Sequence, residues 1–166
     1  MTAMETATTT HMYEVFIKAP RETVWDALTS PEWSTRYGYQ CPLEIDLRPG
    51  GAYKQAPSEG MKAGGWQGDG PVVEGDILEV DEPSKIVQTW QTHFGGEIDS
   101  EGPTRVTFEL SEFGDGVTKL RVIHELEGAP QTYLAVTSSD PQMGGGWSWI
   151  LNDLKSVVET GKRLSE

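Results

Sequence analysis

Gly144-Gly145-Gly146-Trp147-Ser148-Trp149-Ile150-Leu151-Asn152-Asp153-Leu154-Lys155-Ser156-Val157-Val158-Glu159 lies near the end of the chain. In it Trp147, Ile150, Leu151, Leu154, Val157 and Val158 recur at helical spacing and form one apolar stripe. Asn152, Asp153, Lys155 and Glu159 fall off the stripe. The three glycines free the chain before it, and Gly161 is placed to stop it. The pattern predicts a C-terminal helix of about four turns. Its apolar face needs a partner, and the middle of the chain reads as strands. One long helix held by one antiparallel sheet is the simplest α+β architecture.

The composition narrows the function. The chain of 166 residues is expected to be one domain, residues 13 to 164, after a loose Thr-rich terminus at 1 to 12. It carries 13 Lys and Arg against 26 Asp and Glu, a net charge of -13. That charge repels phosphate backbones and anionic lipid, which argues against nucleic acid and membrane surfaces as partners. Cys41 is the only cysteine, so no disulfide forms within the chain. No apolar run approaches the ~20 residues of a membrane span. The N-terminus lacks the apolar core of a signal peptide, so a cytoplasmic location is expected. Six Trp residues are many for this length, and indoles both fill cores and line cavities for flat apolar ligands.

Taken in order, Tyr13, Val15 and Ile17 alternate with Glu14, Phe16 and Lys18 as a first strand. Pro20 suits a helix start, and Val24, Trp25 and Leu28 give residues 21 to 29 an apolar stripe. Ser30 can cap a second short helix that begins at Pro31 and runs to about Tyr37. Residues 43 to 47 and 52 to 54 read as a hairpin about Pro49-Gly50. Residues 56 to 70 read as the loosest loop. Strands are expected at 71 to 80 and 85 to 93, and an acidic Gly-rich loop at 94 to 103. Residues 105 to 112 alternate, with Val106, Phe108 and Leu110 on one face. Residues 118 to 127 alternate again, with Leu120, Val122, His124 and Leu126 together. One-sided alternation is the mark of an antiparallel sheet with one wet face. Gln131 to Val136 suggests a short helix, broken by Pro130, Pro141 and Ser138-Ser139-Asp140.

Several stretches in this order resemble a known family. Pro20-x-x-x-Val24-Trp25-Asp26-Ala27-Leu28-Thr29-Ser30-Pro31-Glu32 is similar to the N-terminal signature of the homologues of the heat-shock-protein-90 ATPase activator. Arg48-Pro49-Gly50-Gly51, Gly75-x-Ile77-x-Glu79-Val80-Asp81-x-Pro83 and Val87-x-Thr89-Trp90 resemble its middle. Val106-Thr107-Phe108-Glu109-Leu110 and Gly146-Trp147-x-x-x-Leu151-x-x-Leu154 resemble its end. The resemblance covers about residues 13 to 160. It implies a START-like (SRPBCC) helix-grip fold, in which a curved sheet wraps the C-terminal helix and leaves an apolar pocket. The superfamily includes lipid and hormone binders, polyketide cyclases and the chaperone activator. The activator has a separate N-terminal domain, none is expected in this chain, and fold alone does not give function.

The candidate site residues follow from this picture. Trp33, Tyr37, Trp66, Trp90, Tyr133 and Trp147 come from regions that a helix grip brings to one cavity and its mouth, with Phe108 and Leu151 on the facing sheet and helix. Trp66 and Tyr133 sit on expected loops and are candidate lids. Trp149 lies opposite Leu151 on the helix, against the early helices or exposed to a partner chain. His124 shares the apolar face of its strand. It is either a polar anchor or acid/base group in the pocket, or a core histidine bonded to a backbone group. Glu112 extends the Val106, Phe108 and Leu110 face and is expected at the pocket rim as a second acid/base candidate. Glu79 and Asp81 share a strand end and read as a solvated turn. His93 and His124 fall two strands apart, roughly 10 Å, too far for ligands that each need ~2.1 Å to one metal. No GxSxG, HExxH or Walker pattern is present, and no metal or cofactor is expected.

Three functional readings stand. The first is a domain that binds a small apolar or aromatic molecule between sheet and C-terminal helix, in a stress-response setting. The second is a co-chaperone-like interaction module with a protein partner or a second copy of the chain. The third is a cyclase- or hydratase-like enzyme using His124 or Glu112.

Overall fold

A computed structural model describes residues 9–68, 70–138, 140, 142 and 144–166. The chain runs β1 (Thr10–Ile17), α1 (Arg21–Thr29), α2 (Pro31–Ser34), β2 (Leu43–Ile45), β3 (Ala52–Gln55), α3 (Glu59–Ala63), β4 (Val73–Asp81) and β5 (Lys85–Thr92). It continues through α4 (Glu97–Ser100), β6 (Thr104–Glu112), β7 (Thr118–Glu125), α5 (Pro130–Thr137) and α6 (Gly146–Thr160). The strands form one seven-stranded sheet in the order β1-β7-β6-β5-β4-β3-β2. Every neighbouring pair is antiparallel. The first strand therefore pairs with the last, and α1 and α2 carry the chain from one edge of the sheet to the other. This is the expected α+β helix grip. None of the described helices is long and apolar enough to cross a membrane.

Alternation along the strands sorts the two faces. Ile17, Ile77, Ile86, Val106, Phe108, Leu110, Leu120 and Val122 are buried on the concave face. The convex face carries charge, with Arg121 paired to Glu14 and Glu109, and Arg105 to Glu125. Such solvated pairs contribute little to stability. A register shift between Ile77 and Glu79 makes a bulge in β4, and bulges bend and twist the strand that carries them.

Helix α6 lies against the concave face. Trp147, Leu151, Leu154 and Val157 of the expected stripe are buried, with Ile150 and Val158 packed at its margin. Burying each large apolar side chain contributes ~2 kcal/mol. Gly161 ends the helix in the left-handed conformation, its N–H donating to the carbonyl of Val157 at 2.9 Å. At the other end Gly146 has φ +62°, and a Cβ there would lie 2.2 Å from the carbonyl oxygen of Val136. Only glycine lets α5 approach the start of α6 so closely.

Asp153, expected off the apolar stripe, is fully buried. Its Oδ2 accepts from the Gly38 N–H at 2.9 Å and from Arg163 Nε at 3.0 Å, and its Oδ1 accepts from the Leu164 N–H at 2.9 Å. Arg163 also donates from Nη2 to the Gly38 carbonyl at 2.7 Å. The helix therefore has a second buried side, facing the segment after α2 and the C-terminal tail. Helical periodicity of apolar residues cannot reveal a buried carboxylate.

Other boundaries differ from the sequence reading. β1 begins at Thr10, so residues 10–12 of the expected loose terminus are paired with β7. Backbone pairing needs no apolar signal at an edge. Residues 1–8 lie outside the described residues, as do the expected breakers Ser139 and Pro141. The 56–70 loop contains α3, whose Ser58 side chain accepts from the Met61 N–H at 3.1 Å, and the 94–103 loop contains α4. Helices this short leave no periodic trace. The α2 helix stops at Ser34, and the Ser30 hydroxyl bonds Glu32 instead of capping it.

Replacing Asp153 with Ala removes the acceptor for two backbone N–H groups and a guanidinium, so we expect a loss of about 3 kcal/mol in urea unfolding. Hydrogen exchange should show the Gly38 amide losing protection first. Unchanged stability would mean that the C-terminal tail is held by other contacts.

Candidate functional site

A cavity of about 310 Å³ lies between the concave face, α5, α6 and the 37–41 segment. Its size is at the small end of ligand pockets. The sheet supplies one wall through Leu43 of β2, Tyr53 of β3, Val73 of β4, Trp90 and Thr92 of β5 and Phe108 of β6. The helices supply the other through Ala135, Val136, Trp147, Ile150 and Leu151.

The aromatic part of the wall depends on a missing side chain. Gly75 pairs with Tyr53, and the register of β4 with β5 (Glu74 with Gln91, Ile77 with Gln88) sets it beside Trp90. With no side chain at Gly75, the Tyr53 and Trp90 rings meet across β4 at 5.7 Å. A Cβ at Gly75 would lie 1.8 Å from the Thr89 carbonyl oxygen, so the position requires glycine. Trp147 completes the cluster, 5.1 Å from Trp90 and 5.9 Å from Phe108. Both spacings are ordinary for tilted and edge-to-face aromatic pairs.

His124 stands behind Trp90 and Trp147 and is fully buried. The Trp147 indole N–H donates to its Nδ1 at 3.1 Å. Indole can only donate, so Nδ1 is the unprotonated nitrogen of a neutral ring and Nε2 carries the proton. Nε2–H then donates to Thr104 Oγ1 at 2.7 Å, and that hydroxyl donates to the Trp90 carbonyl at 2.8 Å. Burial, with a smaller contribution from the nearby His11, pushes the His124 pKa down to about 3. Both ring nitrogens are occupied by core side chains, where the core-histidine alternative had a backbone group.

Of the other expected contacts, Tyr37, Trp90, Phe108, Trp147 and Leu151 line the cavity. His124, Trp33, Trp66 and Tyr133 are not in its wall among the described residues. Trp33 lies under the Arg36 guanidinium, 4.4 Å from the ring centre. Trp66 meets Phe94 edge-on at 6.2 Å, and it is Phe94 that reaches the cavity. Tyr133 packs on His11 at 5.8 Å and lines a separate shallow depression with Leu126 and Leu134. Trp149 is half-buried beside Gly145. Glu112 is exposed at the end of β6, and Glu79 is ion-paired to Lys85 on the surface at 3.3 Å. His93 accepts or donates at 2.9 Å with Glu74 just beyond β5.

Sequence reasoning missed Tyr53, Thr92 and Cys41 as wall residues. Alternation outward from Trp90 places Thr92 on the same face, a signal that was present. Burial pushes the Cys41 thiol up to about 11, so it stays protonated. The helical wall is itself anchored by Glu101, which accepts from the N–H groups of Gln131 and Thr132 at 2.7 and 2.8 Å and from the Thr132 hydroxyl at 2.8 Å. Burial opposes ionisation of Glu101, but these three bonds outweigh it and hold the carboxyl below the usual carboxylate range.

The neutral buried His124 has a measurable consequence. Its folded pKa lies below the value of 6.5 for a free histidine, so the unfolded chain binds the extra proton first. The stabilising effect is complete above pH 6.5 and is lost as pH falls toward about 3. Each pH unit in that window costs about 1.4 kcal/mol. Between pH 6.5 and 5, above the main carboxylate range, chemical unfolding of His124→Gln should show a flatter pH dependence than wild type by up to that slope. Parallel curves would mean that His124 has the same pKa in the folded and the unfolded protein.

The comparisons with known proteins agree on the architecture. The family model described as Activator of Hsp90 ATPase homolog 1-like protein matches residues 18–159. No curated protein matches the chain. CalU16 from Micromonospora echinospora superposes with a TM-score of 0.63 at 23% identity, covering 93% of this chain and 78% of that one. CV1439 from Chromobacterium violaceum gives 0.66 at 25% identity, with 90% and 96% covered. PFC0360w, an HSP90 activator from Plasmodium falciparum, gives 0.56 at 22% identity, with 94% and 91% covered. With the sheet, the gripped helix and the match over residues 18–159 in agreement, this chain belongs to the Activator of Hsp90 ATPase homolog 1-like family of the START-like (SRPBCC) superfamily.

Proposed function

We propose that this protein binds a small hydrophobic or aromatic molecule in the cytoplasm, in the cavity between the sheet and α6. The observation that carries the reading is a cavity of about 310 Å³ walled by Trp90, Phe108, Trp147 and Leu151. A well-packed core leaves few voids larger than a water molecule, so a space of this size beside three aromatic rings suits a flat apolar guest. The family membership supports the same reading, and its heat-shock association makes a stress response the natural setting.

A second reading, an interaction module for a chaperone, draws on the likeness to the P. falciparum HSP90 activator. The exposed Phe16 and Phe113, tilted against each other with ring centres 4.8 Å apart, offer an apolar contact for it. The enzyme reading has less support, because His124 has both ring nitrogens engaged and Glu112 lies outside the described wall.

Native mass spectrometry of protein from its own host, with extraction of whatever travels with it, is the direct test. A quantitative companion uses 1-aminoanthracene, a neutral apolar fluorophore. Wild type should bind it, and Ala135→Trp, which fills the cavity from α5, should weaken binding at least tenfold while keeping a cooperative melt. An empty protein that fails to bind the fluorophore would favour the interaction module.

A further inference from the structure

Among the described residues, four buried side-chain polar atoms have no hydrogen-bond partner, and two of them, Trp90 Nε1 and Thr92 Oγ1, belong to residues of the cavity wall. The two residues are 6% and 4% exposed. They stand two positions apart on β5, on one face, roughly 6.6 Å along the strand. Buried polar atoms in folded proteins are nearly always paired, so an unpaired one needs a reason. The adjacent layer of the core shows that pairing is attainable here. The Trp147 N–H is given to His124, and the Thr104 hydroxyl to the Trp90 carbonyl. The Trp90 N–H and the Thr92 hydroxyl are instead left over, on two residues of this cavity's wall.

We infer that the cavity selects flat apolar molecules carrying a neutral acceptor oxygen, such as a ketone or quinone carbonyl, held by Trp90 Nε1–H and Thr92 Oγ1–H. Such a contact presupposes that the cavity is the ligand site, as proposed above. The chemistry of the two atoms sets the class. Indole nitrogen donates only, and a threonine hydroxyl donates as readily as it accepts, so the complementary group is an acceptor. A carboxylate is the wrong choice, because the described wall holds no Lys, Arg or His and the chain carries a net charge of -13. Both atoms are buried, so a guest's oxygen reaches them through a small shift of the wall side chains and then competes with no solvent. A guest made only of hydrocarbon would leave both unpaired.

The matched pair fluorene and 9-fluorenone tests this, since the two differ only by the carbonyl. Binding is read from quenching of the wall tryptophans and confirmed by calorimetry. Wild type should bind fluorenone about tenfold more tightly than fluorene. Thr92→Val keeps the β-branched shape and loses no existing side-chain bond. It should leave fluorene affinity and melting temperature unchanged or higher while reducing the fluorenone preference severalfold. Equal affinity of wild type for both compounds would overturn the acceptor assignment and leave the apolar cavity reading standing. An undiminished preference in Thr92→Val would remove Thr92 from the contact. Failure of both compounds to bind would overturn the cavity reading and this inference with it.

Discussion

The hydrogen-bonded chain from Trp147 through His124 and Thr104 to the Trp90 carbonyl ties the first turn of α6 to the middle of the sheet. Each link is forced by its neighbours. Indole must donate, a neutral imidazole has one acceptor and one donor, and the threonine hydroxyl passes the last proton to a carbonyl. The chain crosses from helix to β7, β6 and β5, so it orients the Trp147 indole and the His124 imidazole at once. Left unpaired in an apolar interior, any of these groups would cost roughly 1–3 kcal/mol. Correctly docked, the helix satisfies all of them, which gives this arrangement an advantage over a helix slid or rotated on the same greasy face.

A second anchor acts on the other side of α6. Asp153 gathers Gly38, Arg163 and Leu164, and its carboxylate is fully buried beside a guanidinium that is partly exposed. Held on two sides, the helix cannot collapse onto the sheet where the strands turn away from it. The bulge in β4 and the bare face at Gly75 lie in that region. The cavity is the space that results. It lies next to the rigid aromatic cluster, and α5, fastened by Glu101, closes it on the helical side.

This division of labour bears on function. Polar chemistry in the core is spent on holding α6, which leaves His124 at a distance from any guest. The wall that a guest would meet is aromatic and aliphatic, with polarity limited to neutral groups. Apart from Asp153, acidic charge is carried mostly on the outside, and a net charge of -13 repels polyanions. A neutral, flat, largely apolar guest fits both features.

Local patterns in the sequence determined the elements and their faces. The stripe from Trp147 to Val158, the stop at Gly161 and the alternation in β6 and β7 each report a neighbour within a few residues. The family motifs added the curvature of the sheet. The tertiary structure alone decided the rest. His124 reads as apolar-facing in the sequence, but its partners Thr104 and Trp147 are 20 and 23 residues away, and only strand register and helix docking bring them within bonding distance. Asp153 reads only as off the stripe, because helical periodicity marks the apolar side and is silent about a carboxylate buried beside Arg163. Trp33, Trp66 and Tyr133 were expected at the cavity because they are aromatic and near it in the fold. Which rings line an empty volume depends on side-chain packing across elements, a property of the assembled core that no local pattern encodes.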